Sequence, residues 1–138
     1  MVQVAVNYLA IIVAVVASHV LGFLWYGPLF GKQWRALMKF TEKDMKKAKE
    51  KGMTKSIVLM TICSILTAYI MSLFIKMFNY SDISGAIRFA FLIWLGFVAT
   101  VVLNSVTWEG KSWNLYFINA SYCLVNLAVV ASILVSWP

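Results

Sequence analysis

Five side chains in this sequence have the chemistry for a site: His19, Asn104, Glu109, Asn119 and Tyr122. His19 is the single histidine. Its imidazole is the one side chain here that exchanges protons near neutrality without environmental help. Two carboxamides can orient a polar ligand, a phenol can donate to one, and a carboxylate can serve as acid or base. Polar groups of this kind are costly in lipid, so they face a bundle interior, a cavity or one another. A lone intramembrane histidine more often makes a single interhelical hydrogen bond than carries catalysis. Asn119 and Asn126 are equally fitted to be interhelical ties, and Glu109 to pair with Lys111 or Lys32 at the surface. The pattern shows no paired intramembrane carboxylate, no metal-ligand spacing, no Ser-His-Asp arrangement and no phosphate-binding glycine loop. No cofactor and no metal are expected.

Four apolar stretches must position these groups: Val4–Trp25, Ile57–Ile75, Phe89–Trp108 and Leu115–Trp137. Each has 19 to 23 residues, and about 20 suffice to cross the hydrocarbon core as a helix. Apolar residues make up 62% of the chain and charged residues 12%, which excludes an ordinary water-soluble domain. The expected fold is a single all-α integral membrane domain over 1–138, a four-helix bundle with a short basic helical loop. The first stretch is expected to be a retained span, not a cleaved signal. No Lys or Arg precedes Lys32, and the stretch exceeds a typical signal core.

The formal charge of +7 does not point to nucleic acid, because no reading motif accompanies it. Nine of the twelve basic residues fall in 27–55, opposed only by Glu42, Asp44 and Glu50. A basic loop between two spans marks the cytoplasmic side. The expected location is the inner (cytoplasmic) membrane, with loop 27–55 cytoplasmic and both termini outside. Within the loop, Gly27-Pro28 is expected to break the first helix. Lys32–Phe40 then fits a short interfacial helix, and Thr41-Glu42-Lys43-Asp44 an N-cap for a helix ending at Gly52.

Helix faces follow from spacing. Ala10, Ala14, Ser18 and Gly22 form one small-residue stripe, and Thr61, Ser64, Ala68 and Ser72 another. Both predict close helix contacts. Four short helices bury little surface, so a homo-oligomer in the bilayer is expected. Ser112, Tyr116, Asn119, Cys123 and Asn126 share one face of the fourth stretch. Gly96, Thr100, Asn104 and Thr107 share one face of the third. His19 lies six residues before Trp25, roughly 9 Å along a helix. Asn119 lies six after Trp113, and Asn104 four before Trp108. All three then lie in the cytoplasmic half of the membrane, which groups them with Tyr122 into one candidate site, closed by Glu109.

The motifs also occur in a known order. Leu24-Trp25-Tyr26-Gly27-Pro28-Leu29-Phe30-Gly31-Lys32-Gln33-Trp34 is one block. Trp94-Leu95-Gly96-Phe97-Val98-Ala99-Thr100 leads to Asn104 and Glu109-Gly110-Lys111-Ser112-Trp113, and Phe117-Ile118-Asn119-Ala120-Ser121-Tyr122 follows. Over essentially the whole chain this resembles the bacterial four-span membrane family catalogued as domain of unknown function seventeen sixty-one. The resemblance implies a four-helix integral membrane protein and no established activity. It also implies Ser as the usual residue at Gly27 and His as a frequent one at Cys123, so no role of a second histidine carries over. Two functional classes follow. One binds or passes a small solute, ion or lipid through the intramembrane polar site. The other is a membrane-embedded enzyme acting on a lipid or quinone-like substrate, with His19 as acid or base.

Overall fold

The computed structural model describes residues 5–138, so Val4, the expected start of the first span, lies outside the described residues. Among the described residues every regular element is helical. The first span comprises α1 (Tyr8–Leu24) and a π-helical turn, Trp25–Leu29. The loop holds α2 (Gly31–Leu37) and α3 (Glu42–Lys51). The second span is α4 (Thr54–Met77). The third comprises α5 (Ile83–Ile93), a second π-helical turn, Trp94–Ala99, and the short α6 (Thr100–Val102) and α7 (Asn104–Thr107). The fourth is α8 (Trp113–Ser136).

Local chemistry sets these boundaries. Asn7 caps α1 by accepting from the amides of Leu9 and Ala10. Asp82 caps α5 through the amide of Gly85, so the third helix starts at Ile83, six residues before the apolar stretch begins. Thr41 and Asp44 form a reciprocal capping box on α3. The Thr41 hydrogen bonds hold the Asp44 carboxyl below its ordinary pKa. Gly27-Pro28 does not break the first helix as expected. Proline has no amide hydrogen to place in an α-helical ladder. The helix widens by one residue instead, and the amide of Phe30 reaches back five residues to the carbonyl of Trp25 (2.9 Å).

α8 is the central helix and packs against α1, α4 and α5, while α1 also packs on α4. Asn7 donates to the carbonyls of Trp137 and Pro138, and Lys76 to that of Ala5. These bonds gather the N-terminal segment, the end of α4 and the C-terminus at one end of the bundle. The core toward that end sets six alanines without exposed surface, Ala10, Ala14, Ala68, Ala86, Ala90 and Ala131, among larger buried side chains such as Met71, Phe89 and Leu134. The alanines let helices approach closely where water supplies no hydrophobic drive between them. Both expected small-residue stripes are used inside the chain. Ser18 and Ser72 are buried with the alanines, and Gly22 lies against Tyr122.

Large apolar groups point outward. Phe23 is 75% exposed and Phe97 72%, and only 17% of the apolar window of α4 is buried. A soluble monomer does not leave so continuous an apolar surface in water. All four spans have the length and hydropathy to cross a bilayer. The chain is a multi-pass membrane protein.

Candidate functional site

Close packing fails at the end of the bundle nearest the basic loop. There α1, the first π turn, α2, the start of α4 and α8 enclose a cavity of about 650 Å³, within the range of small-molecule sites. Its wall is mostly apolar: Phe23, Trp34, Met38, Met53, Ile57 and Met60. The first turns of α4 are exposed along this wall.

α1 brings His19 to this cavity and against α4. His19 Nε2 lies 3.0 Å from the hydroxyl of Thr61. That hydroxyl has one proton, and it donates it to the carbonyl of Ile57, 2.7 Å away and one turn back. Thr61 Oγ1 is therefore the acceptor and His19 Nε2 carries the hydrogen. In the neutral ring Nδ1 is then the acceptor, and no partner engages it among the described residues.

The first π turn supplies the second polar group. Tyr26, the second residue of that turn, reaches α8, where its phenol donates to Asn119 Oδ1 (2.8 Å). The Tyr26 ring meets Trp34 and Tyr122 edge-on, with centroids 5.7 and 5.2 Å away, a favoured aromatic geometry. Tyr122 in turn donates a long bond, 3.4 Å, to the carbonyl of Ser18. The Asn119 amide group remains available as a donor to a ligand.

Two tryptophans fix the height of Asn119. Trp25 begins the first π turn and its indole donates to the carbonyl of Ile118 (3.0 Å). Trp94 begins the second π turn and its indole donates to the carbonyl of Ala120 (2.8 Å). The α8 backbone is thus held on both sides of Asn119 by equivalent groups from two spans. Trp-x-Gly occurs at both turns, as Trp25-Tyr26-Gly27 and Trp94-Leu95-Gly96. That recurrence is the sequence signal for these positioning residues.

Of the five sequence-derived candidates, His19, Asn119 and Tyr122 meet at the cavity. Asn104 and Glu109 do not. Asn104 begins α7 on an exposed face, and Glu109 stands exposed in the turn before Gly110. Among the described residues no carboxylate lines the cavity beside His19. Tyr26, Thr61 and Trp34 belong to the site and were not among the candidates. Ser105 Oγ and Asn126 Oδ1 are buried and unpartnered. Cys63 and Cys123 are both free thiols. Among the described residues no group of three or more His, Cys, Asp or Glu could hold a metal ion.

Comparison with protein families matches residues 9–135 to the family described as Protein of unknown function (DUF1761). The chain belongs to the DUF1761 family. No curated protein and no solved structure matches. Membership brings no activity with it. The Trp-x-Gly turns and the Asn119 segment all fall within the matched residues.

Proposed function

We propose that this DUF1761 protein binds a small, largely apolar ligand carrying a polar group, in the cavity bounded by His19, Tyr26 and Asn119. The observation that carries this is a largely apolar cavity of about 650 Å³ that is lined by His19 and Asn119, with His19 held by Thr61 through Nε2 and Asn119 held by Tyr26 through Oδ1. Binding is favoured over passage because the alanine core fills the other half of the bundle. It is favoured over catalysis because His19 has no acidic partner within the cavity wall. The reading includes topology: loop 27–55 cytoplasmic, both termini outside, in the inner membrane, as the concentration of Lys and Arg in that loop supports. It also includes self-association. Ala128 and Ser132 sit one turn apart in a lipid-facing groove of α8, where a second copy could approach closely.

Native mass spectrometry of protein extracted directly with its surrounding lipid tests the binding reading. Wild type should carry a co-purifying adduct. His19→Ala and the cavity-filling Ser64→Trp should lose it while the protein still inserts in the membrane. If His19 is only an interhelical tie, His19→Ala should keep the adduct and weaken folding by about 0.6–2 kcal/mol, and His19→Asn should restore it. That result would defeat the proposal. The same spectra report copy number, and a monomer at every concentration would remove the self-association element.

A further inference from the structure

A second concavity lies on the other side of α2, between α2 and α3. It has a volume of about 450 Å³, and Lys32, Arg35, Lys46 and Lys49 line it against a single carboxylate, Glu42. The nearby Asp44 carboxylate is bonded by the amide and hydroxyl of Thr41; with its charge counted as well, the four cations still exceed the two carboxylates. The groove is a surplus of positive charge at the membrane surface.

α2 gives each surrounding space a different face. Lys32 and Arg35, three residues apart, line the basic groove. Trp34 and Met38, four apart, line the cavity. Gln33, Ala36 and Leu37 face α8 across a shallow cleft with Asn114, Phe117 and Ile118. At 100° per residue these sets point about 120° from one another. The groove and the cavity are divided by one aromatic pair: Trp34 belongs to the cavity and Phe40 to the groove, with ring centroids 5.5 Å apart.

The geometry is set in advance. Gly31 packs against the carbonyl of Tyr26 and fixes where α2 begins. At the other end Lys39 adopts φ 61°, the left-handed conformation that closes a helix. The amides of Lys39 and Phe40 then bond back to the carbonyls of Ala36 and Arg35. Arg35 Nε also donates to the carbonyl of Gly31, so the guanidinium is held along α2.

We infer that the ligand is an anionic phospholipid, its phosphate seated in the groove of Lys32, Arg35, Lys46 and Lys49 and its acyl chain in the cavity beyond Trp34. Phosphate oxygens are matched by lysine and arginine donors, and an acyl chain by the methionine and aromatic wall. The chain half of this inference rests on the cavity reading above; the head-group half stands on the groove alone.

Phosphatidylglycerol is the probe, titrated against the full-length protein in phosphatidylcholine nanodiscs and counted by native mass spectrometry. Lys46 and Lys49 are exposed on α3, so K46E/K49E reverses two groove charges without touching the bundle. It should weaken phosphatidylglycerol binding by about tenfold or more, and Ser64→Trp should weaken it comparably through the chain. Wild-type affinity in K46E/K49E overturns the inference whatever happens to the cavity adduct, which His19→Ala tests separately. Unchanged binding in Ser64→Trp overturns the bridged lipid. Displacement by an equal concentration of inorganic phosphate overturns it in favour of a free anion.

Discussion

Two glycines four residues apart should respond to the same substitution by very different amounts. A Cβ on Gly31 would sit 2.7 Å from the carbonyl oxygen of Tyr26 and 3.3 Å from its carbonyl carbon. Ordinary contact begins at about 3.4 Å, and the atoms in the way are backbone, which cannot rotate aside. Gly31→Ala must therefore push α2 away from the π turn. Overpacking of this kind costs about 1–3 kcal/mol, or roughly 5-fold to more than 100-fold in the folding equilibrium. Moving Tyr26 also strains its 2.8 Å bond to Asn119. Beyond its chain neighbours a Cβ on Gly27 would meet nothing within 4 Å, and Gly27 does not have a positive φ. There the gain from a less flexible unfolded chain, about 0.5–1 kcal/mol, is opposed by crowding between the new methyl and the Pro28 ring, so Gly27→Ala should change stability much less than Gly31→Ala. Reversible unfolding in mixed detergent–lipid micelles, followed by helical circular dichroism, measures both. Equal stability of Gly31→Ala and wild type would refute the packing argument. A loss in Gly27→Ala as large as that in Gly31→Ala would also refute it.

Three further outcomes are expected. Tyr26→Phe should cost about 0.6 and at most about 1.7 kcal/mol in the same unfolding assay, the range for hydrogen bonds between membrane helices; no change would mean that Asn119 is satisfied without the phenol. With the basic loop cytoplasmic, a membrane-impermeant thiol reagent outside intact cells should label Tyr80→Cys and spare Lys47→Cys, and the reverse pattern would invert the topology. Asp44 has a depressed pKa in the folded state, caused first by its bond from the Thr41 backbone amide. Its contribution to α3 is thus complete above its ordinary value of 3.8 and lost as pH falls through the lower folded one. Amide chemical shifts of α3 should hold steady from neutrality to about pH 4 and fray below it, and Asp44→Asn should flatten that step.

The features legible in the sequence are those that lipid and local backbone chemistry impose. Four apolar stretches, the Thr41 cap, the Gly52 stop and the alanine–serine stripes each follow from a rule acting over a few residues. Depth was legible too, because a helix rises regularly: His19 and Asn119 reach one cavity from opposite chain directions. Azimuth was not. Gly96, Thr100, Asn104 and Thr107 do share a face, and all four are exposed, so that face points away from the bundle. Spacing at 3.6 residues per turn tells which residues share a face and not which way it points, since direction is set by long-range ties such as the Trp94 indole on the carbonyl of Ala120.

The indoles of Trp25 and Trp94 tie the fold to the site. In lipid a helix gains little from burying apolar surface, so close packing and hydrogen bonds must hold the bundle. This chain divides the two tasks along its length. At the end with both termini, alanines of all four spans close the bundle. At the other end, Trp25 and Trp94 tie their spans to α8 by bonding carbonyls on either side of Asn119. Hydrogen bonds at the wall replace side chains that would otherwise fill the interior, and so a cavity can persist there. α2 completes the wall, anchored by Gly31 and by the turn at Lys39. The end of the bundle that is held by polar ties is also the end lined by His19, Asn119 and the basic groove. A ligand arriving from the loop-side leaflet therefore meets preformed walls instead of having to separate packed helices.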